Sequence, residues 1–229
     1  MPVRDTQEYA ESYFRRHSFG GTFARVRTWL ERRALLRALE IAGFPDSIVD
    51  IPCGAGRFWP TLVRWCAGPI TAMDISSSMI NVALREASAG VRKRVKATTS
   101  SVFDIQLPDK SVESAISLRF FHHLARRRER LAALSELRRV ALDTVIVSIW
   151  TDGNLSAWIN RAQPRQNLLI KGKGYGRRVR LPRSMFEWEA RCLALDVVAH
   201  VDVIPFVAKW RMYVLGVRPS TTRFPANAE

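Results

Sequence analysis

The chain has 229 residues, of which 47% are hydrophobic and 25% are charged, a composition that suits one α/β domain with a sizeable core. No apolar run approaches the ~20 residues that span a bilayer, and the polar N-terminus lacks the hydrophobic segment of a secretory signal. Lysine and arginine total 36 against 21 acidic residues, so the net charge is +15. Such a charge attracts nucleic acid, phospholipid headgroups or a phosphorylated substrate, although a cationic surface without a particular partner is also compatible with it.

The three cysteines, Cys53, Cys66 and Cys192, are odd in number and show no Cys-x-x-Cys spacing. This pattern disfavours a disulfide framework or a zinc site and is typical of proteins in a reducing compartment. We therefore expect a cytoplasmic protein without a metal, for which peripheral contact with an anionic membrane surface is compatible with the charge. The oligomeric state is left open by the sequence.

Two helices are predicted before the first strand, over residues 5–16 and 22–42. In the second helix, apolar side chains recur at helical spacing, as at Val26, Trp29 and Leu30, while arginines mostly occupy the other faces. Gly43 is placed to end this helix. Residues 1–43 are therefore predicted to form an N-terminal helical cap on the domain that follows.

From residue 47 onward, short apolar runs alternate with helical patterns. Strands are predicted over 47–51, 70–73, 94–99, 112–117 and 144–150, and helices over 57–67, 78–88 and 125–140. Such alternation is typical of βαβ units, and hence of a mostly parallel sheet with helices on both faces.

The pattern is less regular after residue 150, where residues 151–183 show no clear period and a helix is predicted at about 184–195. Two strands, 197–204 and 212–217, are joined by a loop too short for a helical crossover, so they are predicted to pair antiparallel. The predicted fold is a Rossmann-like, doubly wound α/β fold with a seven-stranded, mostly parallel sheet and a C-terminal antiparallel hairpin. We assign it to a single domain over residues 44–229.

A group of glycines and acids indicates a ligand site at the end of the first predicted strand. Asp50 ends this strand, Gly54 and Gly56 follow in the loop, and Asp74 ends the second strand. Glycines let the backbone approach a ligand, and a strand-end acid can accept hydrogen bonds from both hydroxyls of a ribose. The loop matches neither the dinucleotide-binding pattern Gly-x-Gly-x-x-Gly nor the phosphate-binding P-loop, and a plain strand-to-helix turn is the alternative.

This loop resembles the first motif of class I S-adenosylmethionine-dependent methyltransferases, whose usual form is Asp-x-Gly-x-Gly-x-Gly. The blocks AMDISSSMINVAL, SVFDIQLPDKSVESAISLRFFHHL and RERLAALSELRRV also resemble this family. The likeness covers about residues 44–150 and is greatest to the ubiquinone-biosynthesis-type branch, which is similar to methyltransferase domain 11. Two positions depart from the family pattern: Pro52 replaces the first motif glycine, and Leu142-Asp143 replaces the usual Gly-Gly before the fifth strand.

The resemblance implies that S-adenosylmethionine is the cofactor. Asp50, Gly54 and Gly56 are implied to hold its methionine part and Asp74 its ribose, while Asp104 and the backbone of Val102 and Phe103 are implied to contact its adenine. Further candidates for cofactor binding are Pro52, Ile75 and Leu118. For Asp104, a solvated loop acid is the alternative.

In this family the methyl acceptor lies near the end of the fourth strand, where this chain has Arg119, His122 and His123. Histidine titrates near neutral pH, so either histidine is a candidate general base, although we favour a structural role beside the cofactor. Arg119 is a candidate for binding an anionic acceptor, or for pairing with a nearby acid. These three residues are the candidate catalytic group.

The family resemblance also implies that residues 151–196 are an insertion, or lid, on the acceptor side. Its basic, glycine-rich part offers candidate anion contacts: Lys171, Lys173, Tyr175, Arg177 and Arg178. Cationic side chains bind phosphate and a tyrosine can stack on a ring, so this segment suits a phosphate-bearing substrate or RNA. A disordered surface loop is the alternative.

The sequence thus predicts a methyltransferase acting on an oxygen or nitrogen of a small-molecule or lipid-like acceptor, with an anionic acceptor favoured. A second hypothesis is an RNA methyltransferase, because FHHLARRRERLAALSELRRV also resembles the tRNA wobble-uridine methyltransferase group and the charge suits RNA. A third is a catalytically inactive cofactor-binding protein, motivated by Pro52, since proline has no backbone N–H.

Overall fold

The structure, a computed structural model, describes residues 5–18, 21–151, 169–171, 177–204 and 210–217. The helices in these ranges are α1 (Gln7–Ser18), α2 (Thr22–Ile41), α3 (Trp59–Trp65), α4 (Ser77–Glu86), α5 (Ala89–Arg94), α6 (Arg127–Val140) and α7 (Arg183–Cys192). The strands are β1 (Ile48–Asp50), β2 (Ile70–Asp74), β3 (Val95–Thr99), β4 (Val112–Ser117), β5 (Ala141–Trp150), β6 (Leu169–Lys171), β7 (Arg177–Val179), β8 (Leu195–Asp202) and β9 (Trp210–Val217). A 3-10 turn over Phe121–His123 follows β4.

Seven strands form one sheet in the order β3-β2-β1-β4-β5-β9-β8. Strands β1 to β5 run parallel, whereas β9 pairs antiparallel with both β5 and β8. The Rossmann-like, mostly parallel sheet with a C-terminal antiparallel hairpin is therefore confirmed. The strand order reverses direction at β1 and β4, and in such sheets the crevice beyond the carboxyl ends at this point is where ligands bind.

Several elements differ from their predicted bounds. Strand β5 begins at Ala141 rather than 144, because Ala141 already pairs with Val112 before a register shift in β4. Helix α3 begins at Trp59 rather than 57, since the glycine loop uses the intervening residues and Pro60 suits the first turn. A short helix, α5, and a two-stranded ladder of β6 and β7 were not predicted.

The core lies on both faces of the sheet, because side chains alternate along the buried strands. On β5, Val145 and Val147 pack in a cluster with Leu134 of α6. Ile146, between them, packs in a second cluster with Leu39 of α2. Helices α6 and α7 therefore cover one face and α2 and α3 the other, as expected. In the described part of the chain, no helix is both long and apolar enough to cross a membrane.

Candidate functional site

A cavity of about 260 Å³ lies where β1, β2 and β4 end. Its lining includes residues from the first loop and the β2 end: Pro52, Cys53, Gly54, Ala55, Arg57, Phe58, Asp74, Ile75, Ser76 and Met79. The other wall comes from α1 and the β4 end: Tyr9, Tyr13, Leu118, Arg119, Phe120 and His123. We call this the strand-end cavity, and it is formed at the switch point of the sheet, as the fold predicts.

The first loop needs glycine at two positions. Gly54 and Gly56 have φ angles of 54° and 69°, which side chains other than glycine rarely adopt. At Gly56 the space is also closed, because a Cβ atom would lie 2.9 Å from the Trp59 ring and 3.1 Å from the Ala83 Cβ. At Gly54 the closest atom would be 3.9 Å away, on Tyr13. Gly54 therefore leaves the backbone open toward the cavity, whereas Gly56 packs the loop against α3 and α4.

Pro52 lies between two backbone amides that are both hydrogen-bonded, and its peptide bond with Ile51 is cis. The flanking amides are both paired: Ile51 N–H donates to the Ile116 carbonyl at 2.9 Å and Cys53 N–H to the Met73 carbonyl at 2.8 Å. Proline thus occupies a position between two hydrogen bonds that hold the loop to β4 and β2.

Asp74 holds the first loop onto the end of β2. Its Oδ2 accepts the Gly54 N–H at 2.8 Å, and its Oδ1 accepts the Ser76 N–H at 2.9 Å. Burial raises the pKa of this carboxyl above its ordinary value, while the two backbone hydrogen bonds act in the opposite direction. Because each carboxylate oxygen has two lone pairs, Asp74 can accept further hydrogen bonds from a ligand in the strand-end cavity.

Asp50 lies behind the loop rather than in the lining of the cavity. It is buried, and its Oδ2 has no hydrogen-bond partner among the described residues. Burial, and then the charge of Asp74, raises the pKa of Asp50 to about 8. The side chain of Trp59 acts in the opposite direction and lowers this pKa. A buried oxygen without a partner is costly unless a donating group approaches it, and the amino group of a bound methionine moiety would be such a donor.

The residues expected to contact adenine lie beside the cavity but do not line it. Val102 is buried, whereas Phe103 and Asp104 are exposed. The Phe103 ring is 6.2 Å from that of Phe120, which does line the cavity, measured between ring centroids. This turn is joined to the site through the Ser100 N–H, which donates to the Asp74 carbonyl at 3.1 Å.

Arg119, at the end of β4, is paired with an acid. Its Nη1 lies 2.6 Å from Oε1 of Glu31, and its guanidinium carbon lies 4.7 Å from the centroid of the Trp210 ring. Arg57 from the first loop binds the other oxygen of Glu31, at 2.5 Å. Glu31 is only 2% exposed, so two arginines share one buried carboxylate and the group keeps a net positive charge. We call Glu31, Arg57 and Arg119 the buried ion cluster.

The two histidines occupy different environments. His122 is buried against two tryptophans, 5.0 Å from Trp150 in a stacked arrangement and 4.8 Å from Trp210 in an edge arrangement, measured between centroids. His123 lines the strand-end cavity, with its ring 3.9 Å from that of His122. The geometry gives His122 a packing role and leaves His123 as the histidine that faces a ligand.

The predicted anion contacts of the lid are only partly described. Lys171 ends β6, and Arg177 and Arg178 begin β7, with Lys171 paired to Arg177 in the ladder. Lys173 and Tyr175 lie outside the described residues.

Three contributions were missed, from α1, from the residue Asp5 before it and from α2. Tyr9 and Tyr13 of α1 line the cavity. Asp5 accepts hydrogen bonds from the Ser76 hydroxyl at 2.7 Å and the Ser78 N–H at 2.9 Å, and these bonds lower its pKa to about 2. Glu31 was also missed, although an acid inside an arginine-rich amphipathic helix was an available signal.

Comparisons with known proteins agree with this geometry. Residues 48–143 match the family model described as a methyltransferase domain. This part of the chain is therefore similar to methyltransferase domains, a family that uses S-adenosylmethionine as its cofactor, and the branch within class I stays a prediction. No curated protein sequence matches the chain.

Solved structures resemble the fold over nearly the whole chain. The PH0226 protein from Pyrococcus horikoshii OT3 superposes with a TM-score of 0.70 at 18% identity, covering 92% of this chain and 99% of that one. Magnesium protoporphyrin IX methyltransferase from Synechocystis PCC 6803, solved with bound SAH, gives 0.63 at 14% identity, with the same coverages of 92% and 99%. A putative methyltransferase in complex with the Trm112 activator of Haloferax volcanii gives 0.61 at 15% identity, covering 94% and 99%.

Proposed function

We propose that this protein transfers a methyl group from S-adenosylmethionine to an oxygen or nitrogen of an anionic small-molecule or lipid-like acceptor. The observation that carries the proposal is the composition of one cavity. Its first wall has the glycine loop and Asp74, which suit the cofactor, and its other wall has Arg119 and His123, which suit an anionic acceptor.

The first wall fits the cofactor residue by residue. Asp74 has free lone pairs for the ribose hydroxyls, Gly54 leaves room for close approach, and Oδ2 of Asp50, behind the loop, has no partner among the described residues and suits an amino group. When bound, S-adenosylmethionine supplies an electrophilic methyl group. Pro52, Ile75 and Leu118 add apolar lining to the same cavity.

The second wall offers a cation and a proton acceptor. The buried ion cluster fixes Arg119 with one edge on Glu31, so the direction of its positive charge is set before an acceptor arrives. His123 is placed to take the proton that an acceptor hydroxyl or amine loses on methylation. Tyr9 and Tyr13 close the cavity from α1, which limits access of water.

A transfer assay with a labelled methyl group tests the proposal, using cell extract separated into lipid, RNA, protein and small-molecule fractions. We expect label in an anionic small-molecule or lipid fraction. Arg119→Met should lower the rate at least tenfold, the loss expected for one charged contact, whereas Arg128→Ala on the exposed face of α6 should not. Label confined to RNA or protein would contradict the proposed acceptor.

RNA is the second candidate acceptor, supported by the net charge of +15. A fold neighbour is a putative methyltransferase in complex with the Trm112 methyltransferase activator. RNA affinity that falls steeply with salt, together with label in the RNA fraction, would favour this candidate. Cofactor binding without transfer to any fraction would instead favour a catalytically inactive binding protein.

A further inference from the structure

A second cavity, of about 530 Å³, lies on the side of the first loop where α1 to α4 meet. We call it the arginine pocket, after Arg25 and Arg32 of α2 and Arg57 of the loop, which all line it. It shares only Ala55 and Arg57 with the lining of the strand-end cavity. The two cavities are therefore neighbours separated by the glycine loop.

The arginine pocket is strongly positive. Its one acidic lining residue, Glu86, is paired with Arg85 at 3.0 Å. Within the described part of the chain, no carboxylate lies within ion-pair distance of Arg25 or Arg32, and both are exposed. Arg25 and Arg32, two guanidinium groups without a carboxylate partner among the described residues, thus border a concave site beside Arg57, which is paired with Glu31, and such a site attracts anions.

Arg57 adds an unmet hydrogen-bonding requirement. Its side chain is 8% exposed, and its Nη2 is shared between Glu31 and the Thr28 hydroxyl at 2.9 Å. Its Nε and Nη1 have no hydrogen-bond partner among the described residues. Arginine has five N–H donors, and leaving buried donors unpaired is costly, so this side chain, which lines both cavities, lacks acceptors for Nε and Nη1 in the described part of the chain.

The mouth of the pocket also carries an aromatic ring. Trp29 lines it yet is 58% exposed, an unusual state for the largest apolar side chain on α2. The hydroxyls of Thr28 and Ser88 and the ring of Pro60 complete the wall. Charge, hydroxyls and an exposed indole together suit a ligand with a phosphate at one end and a flat ring at the other.

We propose that the arginine pocket binds a nucleoside phosphate, with Arg25 and Arg32 on the phosphate and Trp29 stacked on the base. The ligand is either a free nucleotide or a nucleotide within an RNA chain. Because the pocket is separate from the strand-end cavity, its occupant binds at the same time as the cofactor.

Calorimetric titration tests this with uridine diphosphate and with inorganic pyrophosphate, each in the presence of saturating S-adenosylhomocysteine. A uridine nucleotide is used because an adenine nucleotide could enter the strand-end cavity. We expect both probes to bind at a single site. The inference would be overturned if one of the two probes failed to bind at about 1 mM. It would also be overturned if S-adenosylhomocysteine displaced uridine diphosphate.

Matched variants separate the phosphate from the base. Arg25→Ala combined with Arg32→Ala should weaken both probes at least tenfold, as expected for charged hydrogen bonds. Trp29→Ala should weaken uridine diphosphate about tenfold and leave pyrophosphate unchanged, because only the base stacks. All three side chains are exposed, so the variants should fold like the wild type. Equal weakening by Arg128→Ala, far along the chain on α6, would show a diffuse charge effect and overturn the inference.

A third titration identifies the source of the nucleotide. A short single-stranded oligouridylate that binds much more tightly than uridine diphosphate, and loses affinity in the same variants, would assign the pocket to RNA. Equal affinities of the oligouridylate and uridine diphosphate would assign it to a free nucleotide. Either of these two results would support nucleotide binding in the arginine pocket. The probes can also be titrated without S-adenosylhomocysteine, so failure of the proposed methyl transfer would leave this result intact.

Discussion

The two walls of the strand-end cavity are built in different ways. On the first wall, Asp74 accepts N–H groups of the backbone, 20 residues away at Gly54 and two residues away at Ser76. On the second wall, side chains meet across long stretches of sequence, as in the pairing of Arg119 with Glu31, 88 residues apart. The matched family model covers residues 48–143, which include the first wall but neither Glu31 nor α1. The first wall, proposed for the cofactor, is thus held together by hydrogen bonds from the backbone to Asp74, whereas the second wall, proposed for the acceptor, depends on contacts between side chains.

The largest effect is expected from breaking the buried ion cluster. Glu31→Gln leaves two arginines close together without the carboxylate between them, so we expect the free energy of unfolding to fall by about 3–5 kcal/mol. Glu40→Gln, on the same helix, removes a solvent-exposed pair with Arg37 and should cost less than about 1 kcal/mol.

Urea unfolding of both variants measures this difference. Equal stabilities would mean that the buried ion cluster does not hold α2 against the second wall. The affinity for S-adenosylhomocysteine should change less than the transfer rate in Glu31→Gln, because the first wall keeps its backbone hydrogen bonds.

The glycine loop gives the next effect. Gly56→Ala should destabilise the protein by about 2–4 kcal/mol, because it combines an unfavourable φ angle with a close contact to Trp59. Gly43→Ala is the matched control, since Gly43 also has a positive φ, 79°, but no atom within 4 Å of an added Cβ. It should cost about 1 kcal/mol. Equal melting temperatures of the two variants would contradict a steric requirement for glycine at position 56.

A smaller effect concerns pH. The pKa of Asp50 is about 8 in the folded protein, because of burial first and the charge of Asp74 second, against about 3.9 in an unfolded chain. Between these values the folded state holds the extra proton, so Asp50 makes stability fall as pH rises, by at most about 1.4 kcal/mol per pH unit.

Asp50→Asn removes that titration, so its stability should fall less steeply than that of the wild type between about pH 5 and pH 8. Because the charges of Asp50 and Asp74 interact, the difference in pH dependence between the wild type and Asp50→Asn reports the titration of the two carboxyls together. Urea unfolding at several pH values tests it, and parallel stability curves would contradict an Asp50 that is neutral in the free protein.

The sequence predicted the first wall because its determinants are local. A strand, a glycine loop and a strand-end acid follow one another closely, and hydrophobic periodicity is enough to place Asp50 and Asp74 at the ends of neighbouring parallel strands, with Gly54 in the loop after the first. The mostly parallel sheet followed from the same alternation and the antiparallel hairpin from a short connection, whereas the order of the strands required the structure.

The second wall could not be predicted in this way. The pairing of Glu31 with Arg57 and Arg119 depends on how α2 packs across the sheet, which no short motif encodes. The contact of Asp5 with Ser76 spans 71 residues and has the same origin. The sequence suggested that Arg119 could pair with a nearby acid. Only the fold identifies that acid as Glu31.

The most direct measurement is calorimetric titration of S-adenosylhomocysteine into the wild type, Asp74→Ala and Asp109→Ala. We expect the wild type to bind one equivalent and Asp74→Ala to bind about 10–100-fold more weakly, because hydrogen bonds to a charged carboxylate are lost. Asp109 is exposed, lies outside the strand-end cavity and pairs with Arg139, so Asp109→Ala should bind like the wild type. A wild type that does not bind, or an unchanged affinity in Asp74→Ala, would contradict the assignment of the strand-end cavity to the cofactor.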